Sequence, residues 1–160
     1  MKHPQPYALP DPVSPHLAAR RAGVALELGV IRRWVDQHQA SWVLIETAGG
    51  LLSPIGPNET NLDLALSVEP DGWLLVGVDR LGALHDVAAC LLALRTRLST
   101  TPHRLVVLLQ TPAVPDASTG TNAAELRVLG VESMVVTMPR GVPTSPACQA
   151  AARAVLSHFT

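Results

Sequence analysis

Apolar positions along the 160-residue chain follow two periods in alternation. Short continuous apolar runs fall at Trp42-Val43-Leu44-Ile45, Trp73–Val78, Leu105–Leu109 and Met134–Val136. Each has the length and branching of a strand buried on both faces. Between them apolar residues recur every three to four positions, as along one side of a helix. This spacing predicts helices over about Glu27–Gln39 (stripe Leu28, Ile31, Trp34/Val35, His38), Asn61–Val68, about Gly82–Leu98, near Asn122–Leu129, and about Pro146–His158. An earlier helix opens at Ser14-Pro15-His16. There the Ser14 hydroxyl can accept from a free first-turn N–H, and Pro15 loses nothing at the first helical position. Strands alternating with helices specify an α/β fold, a three-layer sandwich around a mainly parallel sheet of about four strands with right-handed crossovers. No repeat, low-complexity tract or linker divides the chain, so a single domain over 1–160 is expected.

Composition narrows the chemistry. The chain is 48% hydrophobic and 16% charged, which excludes disorder, because burial can offset the entropy of ordering. A net charge of −1 and 3% aromatic residues argue against nucleic acid as a partner. No apolar run reaches the ~18 residues of a membrane span, and the Pro-rich start, Met1 to Pro12, has no signal-like core. Cys90 and Cys148 lack a CxxC spacing or a histidine cluster, as expected of reduced thiols rather than a disulfide or zinc site. A soluble, cytoplasmic protein is the expectation. Of the twelve basic residues eleven are arginine, and the one lysine is Lys2. A GxxxxGK[ST] phosphate loop needs a lysine, and no such loop, no GxGxxG and no GxSxG occurs.

In parallel sheets ligands bind beyond the carboxyl ends of the strands. Four such ends can be named: Glu46 with the Gly49-Gly50 turn, Asp79-Arg80, Gln110-Thr111, and Pro139-Arg140-Gly141. A carboxylate after a buried strand, followed by glycines, can hold Mg²⁺ beside phosphates. It can equally cap the strand end above an ordinary turn, and both readings stand at this point. Likewise Ser14-Pro15-His16 can present an anion to helix N–H groups or be a plain helix start. His85 and Asp86 can form an acid–base pair or simply a solvated first turn.

Three stretches resemble the dethiobiotin synthetase family. Tyr7-x-x-Pro10-x-Pro12-x-Ser14-Pro15-His16-Leu17-Ala18-Ala19 is similar to the segment before that family's Mg²⁺-binding strand. The run from Trp42 to Pro54, with Glu46-Thr47-Ala48-Gly49-Gly50-Leu51-Leu52, resembles its (V/I)-E-G-A-G-G-L-L-x-P element. Leu74-Leu75-Val76-x-x-x-x-Leu81-Gly82 resembles its strand-plus-LG element at the matching distance. The resemblance implies a truncated P-loop NTPase-like fold and a ligase that uses MgATP to join CO₂ to 7,8-diaminopelargonate. It further implies that Glu46 is a Mg²⁺ ligand and Ser14 a substrate-side serine, the two residues expected to be catalytic. Gly49 and Gly50 would lie near the transferring phosphate. Leu81 and Gly82, with His85, would start the helix that receives the substrate carboxylate. Gln110 and Pro139, Arg140, Gly141 and Val142 would contact the nucleotide base. Thr47, His85 and Gln110 depart from the family's usual glycine, asparagine and asparagine.

The family's P-loop, its first helix and two active-site lysines precede the segment that this chain resembles. The expectation is therefore a split enzyme: a P-loop-bearing partner subunit completes a site for Mg²⁺ and ATP, in a homo- or hetero-oligomer, and the chain alone is inactive. The alternatives are a non-catalytic structural or regulatory homologue that dimerises with itself or an active enzyme, and a chain whose true start lies upstream. In such folds the missing first strand lies beside the strand ending at Glu46. Either Val43–Ile45 re-pairs with Leu74–Val78, or a second subunit covers the uncovered edge.

Overall fold

The structure, a computed structural model, describes residues 5–38, 40–131 and 133–160. Lys2, His3 and the expected helix end at Gln39 fall outside the described residues. The chain forms two compact units, Met1–Pro70 and Asp71–Thr160.

The first unit is helical: α1 (Pro15–Ala22), α2 (Leu28–Asp36) and α3 (Asn61–Val68). α1 starts at Pro15 as the pattern predicts, yet the Ser14 hydroxyl makes no capping bond. The Ser14 carbonyl accepts the first helical bonds, from the N–H groups of Leu17 and Ala18 at 3.0 Å each, as an N-cap carbonyl does with or without a side-chain cap. The helix stops at Gly23, whose φ of 66° suits a residue without Cβ. Arg32 links α2 to α3, donating to Asp36 at 3.0 Å and to the Ser67 carbonyl. At the start of α3 the Asp63 carboxylate accepts from both the N–H (2.8 Å) and the hydroxyl (2.7 Å) of Thr60. Buried Ala18, Ala19, Ile55, Leu62 and Leu64 are its apolar interior.

The expected strand at Trp42–Ile45 does not form. The segment is irregular, with Trp42 57%, Val43 45%, Leu44 89% and Ile45 38% exposed. An apolar run becomes a strand only where a neighbouring backbone takes its N–H and C=O groups, and among the described residues this one has no such neighbour. Among the described residues the sheet has three strands, where about four were expected.

Those three occupy the second unit: β1 (Trp73–Val78), β2 (Leu105–Gln110) and β3 (Met134–Met138), parallel and in the order β1-β2-β3. α4 (Ala83–Leu98) joins β1 to β2, α5 (Asn122–Val128) joins β2 to β3, and α6 (Pro146–Ser157) follows β3. Both connections step the same way across the sheet, so the handedness rule puts α4 and α5 on one face. On the other, Ala151 and Val155 of α6 pack on Val106, Leu108 and Val136. β2, covered on both sides, is buried from Leu105 to Leu109, as its unbroken apolar run implies. This unit is the expected α/β arrangement of helices about a parallel sheet. At β1 alternate residues Leu74, Val76 and Val78 are exposed, and β1 has no second strand neighbour among the described residues. No helix among the described residues is long and apolar enough to cross a membrane.

Candidate functional site

In the first unit the site is organised around the Gly49-Gly50 turn. Gly49 has a φ of 89°, and a Cβ there would meet the Ser53 hydroxyl oxygen at 2.7 Å, so only glycine fits without strain. Asn61, the first residue of α3 and 1% exposed, reaches back to the turn. Its side-chain amide donates to the carbonyls of Ala48 and Gly50, each at 2.9 Å. The Gly50 carbonyl also accepts from the Ser53 N–H at 2.9 Å, and the Gly49 carbonyl from the Thr47 hydroxyl at 3.4 Å. Three successive carbonyls are thus taken up by the protein. The N–H groups of Ala48, Gly49 and Gly50 have no acceptor among the described residues.

Ser14 and Gly49, both singled out by sequence, line one cleft of about 320 Å³, together with Pro12, Val13, Pro15, Ala48 and Ser53. Glu46 lies just before the turn and is not part of that lining. Its side chain is exposed and makes no hydrogen bond or ion pair among the described residues.

In the second unit the parallel register sets the remaining residues at the carboxyl end of the sheet. Gln110 is paired with Val78 on one side and Met138 on the other. The Thr111 N–H donates to the Met138 carbonyl at 3.0 Å, carrying the β2–β3 contact one residue further. Gln110 and the segment Pro139-Arg140-Gly141-Val142 therefore leave neighbouring strands at the same end. The Cys148 thiol of α6 holds the segment's start, at 3.4 Å from the Pro139 carbonyl.

Leu81, Gly82 and His85 gather at the start of α4, where Gly82 takes a φ of 96°. The Leu81 N–H is already occupied, donating to one Asp116 carboxylate oxygen at 2.8 Å. The other oxygen accepts from the N–H groups of Ser118 (2.8 Å) and Thr119 (3.1 Å). The Leu81 bond first, then those within the loop, hold the Asp116 carboxyl below its ordinary value. Nearby, Arg80 pairs with Asp86 at 3.0 Å, while burial, and then Asp86, push the Cys90 thiol up.

Asp79, at the end of β1, is 1% exposed and accepts from the Gly120 N–H at 2.9 Å and the Asn122 side-chain amide at 2.7 Å. The Thr119 hydroxyl adds a bond of 2.9 Å to the Asp79 carbonyl. A buried carboxylate is tolerable only when so satisfied. Residues 116–122 are consequently fixed to the end of β1 by two carboxylates, one from each side. Sequence reasoning missed Asn61, Asp116 and Asn122. The available signals were the Thr60-x-x-Asp63 capping pattern beside Asn61 and the turn-forming Asp116-x-Ser118-Thr119-Gly120 run.

These donors can be set against the MgATP that the resemblance implies. A free carboxylate fits one oxygen ligand of Mg²⁺, which is commonly held by one or two carboxylates plus phosphates. Free amides at Ala48–Gly50 fit an anion. No group of three or more metal-ligating side chains converges among the described residues. No lysine occurs from residue 3 to 160, so these residues do not fit the triphosphate grip itself.

Comparison with known proteins gives a match to the AAA domain family over residues 1–139. The ATP-dependent dethiobiotin synthetase BioD of Anaeromyxobacter sp. (strain Fw109-5) is 37% identical over 135 residues, covering 81% of this chain and 58% of that protein. That of Nitrosospira multiformis is 38% identical over 86 residues, 52% of this chain and 38% of the relative. That of Phenylobacterium zucineum is 37% identical over 109 residues, 66% and 46%. The chain thus spans between 38% and 58% of these three relatives.

Proposed function

The chain belongs to the AAA domain family and, within it, to the dethiobiotin synthetases, and from that premise we propose that it serves an ATP-dependent ligase of biotin synthesis as the subunit bearing the metal-side residues. The reaction would form dethiobiotin from 7,8-diaminopelargonate and CO₂, the chemistry implied by the resemblance. A partner subunit would contribute the P-loop and its lysines, in an assembly active only when both are present.

The observation that carries this reading is the pairing of a Glu46 carboxylate unengaged among the described residues with a following turn whose carbonyls are all bound and whose amides have no acceptor among them. Glu46 would hold Mg²⁺, which when bound neutralises charge on the phosphates. The amides of Ala48–Gly50 would orient a phosphate oxygen, and Ser14, which lines the same cleft as Gly49, would bind the substrate side. Gln110 and Pro139–Val142 would contact the base. The edge of β1, without a second strand neighbour among the described residues, supports a strand-bearing partner, since such edges recruit backbone from another chain.

A second reading, a non-catalytic homologue that dimerises with itself or with an active enzyme, is favoured by one observation. Asp116 occupies the Leu81 N–H at the helix start where a substrate carboxylate would bind. Glu46→Ala in the native assembly separates the two: loss of dethiobiotin formation supports the catalytic reading, and an undiminished rate supports the non-catalytic one.

A further inference from the structure

We propose that Asn61 is the positioning residue of the phosphate-facing turn, an inference that rests on the reading of Glu46 and Gly49-Gly50 given above. The geometry is specific. Asn61 is buried, stands at the first position of α3, and spends both amide hydrogens on the carbonyls that flank Gly49, at 2.9 Å each. A carbonyl facing a phosphate repels it, whereas an N–H attracts it, so a turn that approaches an anion must dispose of its acceptors. Asn61 disposes of two, and Thr47 takes the third. The backbone of α3 fixes the same stretch: the Asn61 N–H donates to the Ser53 carbonyl at 3.0 Å and the Leu62 N–H to the Leu51 carbonyl at 2.8 Å. The helix start thereby pins residues 48–53 as a block, and the Asn61 side chain, with the Ser53 N–H on the Gly50 carbonyl and the Thr47 hydroxyl on that of Gly49, turns the acceptors inward. Asparagine is suited to this because its planar NH₂ carries two donors on one short arm. Aspartate at this position would set acceptors against both carbonyls, and serine would supply one donor in place of two. Asn61 has no contact with phosphate in this scheme; it acts through the turn.

The test uses the ¹⁵N-labelled 160-residue chain and Mg²⁺ with inorganic pyrophosphate as the probe, followed at the amides of Ala48, Gly49 and Gly50. In the unsubstituted chain these amides are expected to shift on titration, and Glu46→Ala is expected to remove the dependence on Mg²⁺. Asn61→Ala and Asn61→Asp are expected to weaken the response about tenfold or more, with Asn61→Ser intermediate. A merely structural role would lower the melting temperature of Asn61→Ala while leaving the response of the folded protein unchanged, and that result overturns the proposal. Should Asn61→Ala fail to fold, the comparison of Asn61→Ser with the unsubstituted chain decides in the same way. Absence of any shift in the unsubstituted chain overturns the phosphate-facing reading of the turn and this inference with it. A normal shift that Asn61→Ala and Asn61→Ser leave intact overturns the positioning role alone.

Discussion

The carboxylate of Asp116 sits on the backbone N–H of Leu81 at 2.8 Å, across 35 residues of sequence. It ties the loop before α5 to the start of α4. With Asp79 bound from the opposite direction by Gly120 and Asn122, the carboxyl end of β1 is closed by a reciprocal pair of carboxylates.

Asp116→Ala removes the acceptor and frees the Leu81 N–H. Hydrogen exchange at Leu81 is expected to speed up roughly tenfold or more, as for an amide whose bond to a charged group is lost. Exchange within the β2 core should not change. An unchanged rate at Leu81 would show that the bond does not hold the loop.

The same contact sets a pH dependence. The folded-state pKa of Asp116 is depressed, chiefly by the Leu81 N–H, so its contribution is complete above the unfolded carboxylate value of about 3.9. As pH falls through the lower folded value, that contribution disappears. Urea melts between pH 6 and pH 3 should show a smaller acid loss of stability in Asp116→Asn than in the unsubstituted chain. Identical acid profiles would contradict this.

Asn122→Ala leaves one oxygen of buried Asp79 without its 2.7 Å donor. A loss of about 2–4 kcal/mol is expected for the second unit, within the range for a buried charged group deprived of a partner. Paired removal, Asp79→Ala with Asn122→Ala, should cost less than the two single losses added together. A double-mutant cycle by thermal melting checks the sign of this coupling.

Gly49→Ala forces a Cβ to 2.7 Å from the Ser53 hydroxyl and places alanine at a φ of 89°. The backbone cost alone is of order 1–2 kcal/mol. Adding Ser53→Ala should relieve the 2.7 Å contact but leave the 3.1 Å contact with the residue-53 Cβ and the backbone part, so the double variant should recover only partially in thermal melts.

Much of the second unit was legible from sequence because its signals are local. Trp73–Val78 and the buried run of β2 read directly as strands, and in the first unit Asn61–Val68 read directly as a helix. Trp42–Ile45 carries the same apolar signal and forms no strand, because hydrophobicity reports a need for burial whereas pairing requires a neighbouring backbone. Ser14 sits at the expected cap position, but whether its hydroxyl also accepts from the first turn is set by side-chain rotation that a sequence pattern does not encode. Ser14 and Gly49 were named separately from motif resemblance, and folding brings them to one cleft. Asn61, Asp116 and Asn122 were not legible because each acts on a partner 11 to 43 residues away.

The most direct test of the account compares dethiobiotin formation by the native assembly with that of its Glu46→Ala counterpart. The tagged chain is captured from its own cells with its bound subunits and supplied with 7,8-diaminopelargonate, bicarbonate, Mg²⁺ and ATP. Glu46 is exposed and has no partner among the described residues, so the substitution should change the melting temperature little, as for a surface site. The expected result is dethiobiotin from the assembly, a GxxxxGK[ST] subunit within it, none from the 160-residue chain alone, and none from Glu46→Ala. An assembly with no such subunit, or a Glu46→Ala assembly working at the unsubstituted rate, would contradict the account.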